Sequence, residues 1–182
     1  MANKVKFNIH NVHYAVQTAA DTYDTPVALP GAVSLTLEAQ GELTPFYADG
    51  IVYYTASANG GYEGDLEVAL IPDEFREAIL NEIQDANNVL FEDANVQTIP
   101  FALGFDVDGD QSTTSFWFYN CTASRPGVSA QTNEDTKEPQ TDSITISCAP
   151  ASNGIVRAKT TSETSPATVS GWYTAVYKKA DE

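Results

Sequence analysis

Asp106-Val107-Asp108-Gly109-Asp110 sets three carboxylates at alternate positions, the spacing in this chain best suited to offer oxygens to a cation such as calcium. The match stops there. Counted from Asp106, the sixth and twelfth places of a calcium loop call for glycine and glutamate, and they hold Gln111 and Trp117. A turn at Asp108-Gly109, joining a strand from Phe101 to one beginning at Thr113, accounts for these residues better than an ion does. His10 and His13 stand three apart with no third ligand nearby, and regular strand alternation sends them to opposite faces, so they read as structural or solvent-exposed. Cys121 and Cys148 are the two cysteines, each inside a predicted strand and without Cys-x-x-Cys spacing or a matched histidine. Buried free thiols are therefore favoured over a disulfide or a reactive thiol. No Gly-x-Ser-x-Gly elbow occurs, and Gly60-Gly61 runs into Tyr62-Glu63-Gly64 without the lysine and hydroxyl that close a phosphate cradle. The expectation is a protein with no catalytic residues, no cofactor and no metal.

What remains is contact chemistry. Between Gly41 and Tyr54 the chain carries Phe46, Tyr47, Tyr53 and Tyr54 beside turn formers and a β-prone run. Large rings with a polar handle suit an interface. Neighbouring residues of one strand point opposite ways, so these four predict a projecting loop or hairpin over 41–62, with one face on its own domain and the other on a second subunit. The competing reading has Phe46 and Tyr47 filling the subunit's own core. Arg125, Lys137 and Glu138 are further interface candidates, with Arg125, Arg157, Lys159 and Lys137 available to pair with Glu134, Glu138 or Glu163 of the same or a neighbouring chain.

The 182 residues suffice for one domain with a sizeable core, and a hydrophobic content of 42% argues against disorder despite a net charge of −16. Lys4, Lys6, Lys159, Lys178 and Lys179 are scattered, so the chain shows no basic patch of the kind that binds nucleic acid. No apolar run reaches the roughly 18 residues that would read as a membrane span, and the N-terminus lacks a signal-peptide core, so a soluble protein made in a cytoplasm is expected.

These residues need a β scaffold. Residues 5–16 alternate; Val33, Leu35 and Leu37 predict one apolar face opposite Ser34 and Thr36; Ile51–Ala58 and Tyr62–Ile71 flank the turn Asn59-Gly60-Gly61. Short strands follow at Val89–Glu92 and Phe101–Val107. Thr113–Ser124 sets Phe116, Phe118 and Asn120 against Trp117, Tyr119 and Cys121, and apolar residues on both sides predict a strand covered twice. Ile144, Ile146 and Cys148 give another single-faced strand, and Trp172–Tyr177 a closing one. Pro126–Thr141 reads as a connecting loop, and Thr160–Ser170 as a second weakly ordered connection. The one helix is predicted from Pro72 to about Asn87-Asn88, with Phe75, Ile79 and Ile83 as its packing stripe and Asp73, Glu74 and Glu77 at its positive end. The fold class is mainly β, two packed antiparallel sheets with one flanking helix and long interaction loops.

Six segments, taken in order, resemble one family: Lys6-Phe7 with Asn11-Val12-His13-Tyr14-Ala15; Pro30-Gly31-Ala32-Val33; Gly41 to Tyr54; Ile71-Pro72-Asp73-Glu74-Phe75-Arg76; Tyr119 to Pro126; and Glu134 to Thr141. Together they are similar to the major tail proteins, or tail-tube proteins, of long-tailed, non-contractile bacteriophages of Gram-positive hosts. The resemblance runs from about Lys4 to Tyr177. It implies a single tail-tube domain of sandwich or barrel type over 1–182, without an appended immunoglobulin-like domain. It also implies hexameric rings stacked around an acidic lumen through which DNA passes without specific binding, and no membrane. Tape measure, tail terminator and baseplate proteins are the implied partners, and the virion tail, assembled in the host cytoplasm, the implied location. A carbohydrate-binding or adhesion module, using its aromatics on sugars, is the alternative.

Overall fold

A computed structural model describes residues 3–132 and 139–180. The chain enters as a long strand β1 (Lys6–Ala19), two short strands β2 (Thr22–Tyr23) and β3 (Val27–Ala28), and then β4 (Ala32–Gln40), β5 (Leu43–Ala48), β6 (Ile51–Ser57) and β7 (Gly61–Val68). A short helix α1 (Asp73–Phe75) continues as a π-helical turn over Arg76–Leu80. There follow β8 (Ile83–Gln84), β9 (Leu90–Phe91), β10 (Phe101–Gly109), β11 (Thr114–Ala123), β12 (Asp142–Cys148), β13 (Arg157–Lys159) and a second short helix α2 (Pro166–Ser170).

Hydrogen bonding runs through a nine-stranded antiparallel sheet in the order β2-β1-β10-β11-β12-β7-β4, with β13 beside β11 and β3 beside β1. The expectation of two separate sheets gives way to one sheet folded on itself. Its halves share a single core, in which Tyr14, Phe101, Leu103 and Phe118 of β1, β10 and β11 meet Leu66, Val68, Ile144 and Ile146 of β7 and β12. The halves are joined between β11 and β12 by only three residue pairs, Cys121 with Cys148, Thr122 with Ser147 and Ala123 with Ile146.

β11 is covered on both faces, as its sequence predicts, but its alternation does not survive to Cys121. Asn120 adopts a left-handed φ of 46°, and Phe101 to Leu103 of β10 faces the longer run Cys121 to Phe118. That bulge moves Cys121 onto the face of Phe118 while Trp117 and Tyr119 stay on the other. The second cover is the C-terminal segment. Trp172 and Val176 bury themselves against Trp117, Tyr119 and Ala102, and the Trp117 indole N–H donates to the Trp172 carbonyl at 3.1 Å. Trp172–Tyr177 is thus a turn after α2 and not a strand: its buried positions are four apart, a helical spacing, and the Trp172 ring stacks on Tyr177 at 4.9 Å. The preceding connection is capped where Ser165 accepts the Thr168 N–H at 3.2 Å.

Gly104 lies directly opposite Trp117. A Cβ at Gly104 would sit 2.7 to 2.9 Å from three carbons of the Trp117 ring, which is fully buried and held by its N–H. Gly104→Ala is therefore expected to lower stability by about 1–3 kcal/mol. A urea midpoint equal to that of the parent protein would refute this.

The helix begins where predicted and ends early. Pro72 is its N-cap, Phe75 and Ile79 are fully buried, and Phe75 meets Tyr14 and Phe101 edge-on at 5.0 and 5.9 Å. Asn81 then turns left-handed at φ 60° and its N–H bonds back to the Arg76 carbonyl, closing the helix seven residues before Asn88. Asparagine tolerates that conformation better than other non-glycine residues. Ile83 therefore leaves the stripe: it lies in β8 opposite Phe91 and is 55% exposed. Val33 is likewise exposed, because an irregularity between Ala32 and Ser34 shifts the β4 register there, while Leu35 and Leu37 pack on the core.

Candidate functional site

The carboxylates and histidines that the sequence sets aside as metal or acid–base groups are each held in structural hydrogen bonds, and the bulge between His10 and His13 sets them opposite Asp106 and Gly104, on one face and not on the opposite faces expected. The three aspartates of β10 and its turn go to three different partners. Asp106 is buried, and its carboxylate accepts from Asn11 Nδ2 at 2.8 Å and from the Tyr173 hydroxyl at 2.6 Å. Burial first, and then Asp106, pushes the Tyr173 phenol well up, so it stays a neutral donor. Asp108 meets His10 Nε2 and the Thr113 hydroxyl, each at 3.0 Å, and those bonds hold its carboxyl below the usual range. Asp110 accepts the Lys4 N–H at 2.7 Å and is lowered chiefly by that bond. The chain turns between β10 and β11 here, with Val107 opposite Thr114. His13 stacks on Tyr173 at 4.3 Å, across a bulge that begins at Asn11 with φ 54°. Among the described residues no three histidine, cysteine or acidic side chains are grouped to hold a metal.

The aromatic segment forms the hairpin that the sequence allowed. β4 and β7 run antiparallel through the core and out of it. After a break at Gly41 and Asn59-Gly60, the same pair of chain directions continues as β5 and β6. Two backbone bonds bridge the break, from Gly60 N–H to the Gln40 carbonyl at 2.7 Å and from Ala58 N–H to Glu42 at 3.1 Å. The tip is the two-residue turn Asp49-Gly50, with φ of 53° and 77°, between the paired Ala48 and Ile51. Positive φ at both central residues is the turn whose twist matches a hairpin. Asp-Gly between aromatic and β-branched runs is the sequence signal for it.

Phe46 stands directly opposite Tyr54, Tyr47 opposite Val52, and Tyr53 is the extra residue of a bulge between those pairs. Leu43, Phe46, Tyr47, Ile51, Val52, Tyr53 and Tyr54 are all between 51% and 72% exposed. Phe46 and Tyr47 are therefore outside the chain's own core. Neither face of the hairpin rests on its own domain, which corrects the expectation that one would. A two-stranded ribbon alone is marginal in water, and clustered exposed apolar side chains are a surface feature common at interaction sites.

Arg125 is spent within its own chain. Its guanidinium pairs with Glu92 at 3.0 Å and donates to the carbonyls of Asp93 and Val96 at 2.8 and 2.9 Å, fastening the segment after β9. Lys137 and Glu138 lie outside the described residues, as do the other two acids of the 126–141 connection, Glu134 and Asp135.

A second surface escaped sequence reasoning. Leu66 and Val68 of β7 point inward, so Glu63, Asp65 and Glu67 point outward, about 7 Å apart along the strand. Ser34, Thr36 and Glu38 of β4 flank them in register on one side, and Ser143, Thr145 and Ser147 of β12 on the other. Ser34 and Thr141 hydroxyls donate to Glu67 at 2.9 and 2.5 Å, and Thr145 donates to Asp65 at 2.7 Å. The Thr141 bond, and then the Ser34 bond, holds the Glu67 carboxyl below its usual value. The result is a face of hydroxyls and carboxylates, in which none of the acids forms an ion pair among the described residues. The alternation of Glu63, Asp65 and Glu67 was the available signal; which strands flank it was not.

A cavity of about 390 Å³ is lined by Tyr23, Tyr119, Ile155 and Tyr177 among others. Two of its tyrosine hydroxyls are engaged: that of Tyr119 donates to the Tyr177 carbonyl at 2.6 Å and that of Tyr23 accepts the Asn120 N–H at 3.1 Å. Among the described residues no helix is long and apolar enough to cross a membrane. The chain matches no protein-family model and no curated protein sequence.

Proposed function

We propose that this chain is a structural subunit that assembles with copies of itself, of the bacteriophage tail-tube type, forming hexameric rings stacked into a hollow tube through which DNA passes. One observation carries the reading: a hairpin with seven large apolar side chains exposed on both faces, held away from the core that a monomer would use to cover it. Repeated heterologous contacts between two different patches close a ring or extend a filament. In this reading the hairpin supplies one patch. The folded sheet is the subunit's sandwich domain, and the hydroxyl-and-carboxylate face of β4, β7 and β12 lines the lumen. Carboxylates there, with no ion-pair partner among the described residues, repel a polyanion and keep it mobile, which suits passage without specific binding. Ring number, the tape measure, terminator and baseplate partners, the place in the virion and the absence of catalysis follow from the family resemblance of the six segments.

Negative-stain electron microscopy of the concentrated protein tests the proposal. Rings or tubes are expected. Monomers at every concentration, with saturable binding to a glycan, would replace this reading with the carbohydrate-binding one.

A further inference from the structure

We propose that Cys121 and Cys148 are a redox modification site, closing under oxidising conditions into a cross-strand disulfide that locks the seam between the two halves of the sheet. The register sets the pair face to face on adjacent antiparallel strands. The neighbouring backbone bonds run from Ala149 N–H to the Asn120 carbonyl and from Ser124 N–H to the Thr145 carbonyl, one residue outside the Cys121–Cys148 and Ala123–Ile146 pairs respectively. That makes Cys121 and Cys148 a non-hydrogen-bonded pair, the kind with Cα atoms about 4.5 Å apart, within the range a disulfide spans. The bulge at Asn120 is what turns Cys121 to this face, because unbroken alternation would have left it with Trp117.

The location gives the bond its consequence. Both thiols are buried within the shared core, at one end of the three pairs that alone join β11 to β12. Burial, and then the adjacent Cys148, pushes the Cys121 thiol up, so the closed native state is unreactive. Opening of so short a seam is the event that admits a reagent. The oxidant required is a low-molecular-weight disulfide. One cysteine thiolate attacks it, forming a mixed disulfide and releasing one small thiolate. The second cysteine thiolate then attacks the protein sulfur and releases the other. The protein loses two electrons and its two thiol protons; the reagent gains two electrons and leaves as two thiols, which take up the protons. The inference is independent of what the subunit assembles into.

Oxidised glutathione is the probe, applied in two arms: to the folded protein, and during refolding from denaturant. Maleimide labelling after denaturation, read by intact mass, counts free thiols. Two adducts are expected before treatment and none after it, with a monomer mass lower by two hydrogens and a thermal midpoint higher by about 5–10 °C. Dithiothreitol reverses all three. Closure that is slow in the folded arm and complete in the refolding arm supports the site equally, since seam opening then sets the rate. Two free thiols in the refolded soluble fraction, a glutathione on each cysteine, or a covalent link between two chains would each overturn it. Cys148→Ser serves as the control, and it is expected to retain one thiol that never yields an intramolecular bond.

Discussion

The double variant Phe46→Ser/Tyr47→Ser is expected to fold normally and to form no rings or tubes. The two rings are 61% and 63% exposed on a hairpin outside the core, so removing them takes almost nothing from the folded monomer. Surface changes of this kind stay within about 0.5 kcal/mol. At a subunit contact, buried aromatics commonly cost 1 kcal/mol or more on truncation, with hot spots at about 2 or above. Two such losses, repeated at every contact, weaken each association by about two to three orders of magnitude. Because Phe46 opposes Tyr54 while Tyr47 opposes Val52, the variant strips one ring from each side of the ribbon. Circular dichroism and a urea midpoint unchanged from the parent, beside micrographs without assemblies, are the expected outcome. Assemblies of normal length would remove the hairpin from the interface. A monomer that fails to fold would show that these residues support the domain itself.

Ile79→Asp is expected to cost the monomer about 3–5 kcal/mol, a large share of the 5–15 kcal/mol that holds a typical domain together. Ile79 is fully buried on the inner side of the π-helical turn, within the hydrophobic core. Its carbonyl also accepts the Ile99 N–H at 2.8 Å, tying the segment before β10 to the helix. Ile83→Asp is the matched comparison. The sequence stripe treats the two isoleucines alike, yet Ile83 is largely exposed on β8, and its replacement is expected to cost less than about 1 kcal/mol. Urea unfolding of both variants separates them. Equal losses would mean that the helix runs on through Ile83 in solution.

Much of the scaffold was legible in the residues because it rests on local rules. Period-two alternation located β7, β11 and β12, and the aromatic run was readable as a projecting loop or hairpin, because both follow from where a side chain points along a strand. Pro72 with two acids behind it started the helix for the same reason: capping is a property of neighbouring residues. The failures fall where one residue leaves the regular backbone. Asn81 ended the helix, Asn120 turned Cys121 to the core beside Cys148, and Asn11 broke the spacing of the two histidines. Each sits at positive φ, which asparagine permits without demanding, so the identity of the residue alone does not say that the chain bends there. The remaining decisions needed partners distant in sequence. Arg125 found Glu92, Tyr173 found Asp106 across 67 positions, and the acids of β7 became one polar face only when β4 and β12 aligned their hydroxyls beside them. Such pairings depend on which strands become neighbours. That is settled by burying one shared core, a cooperative property that no local stretch of this chain carries.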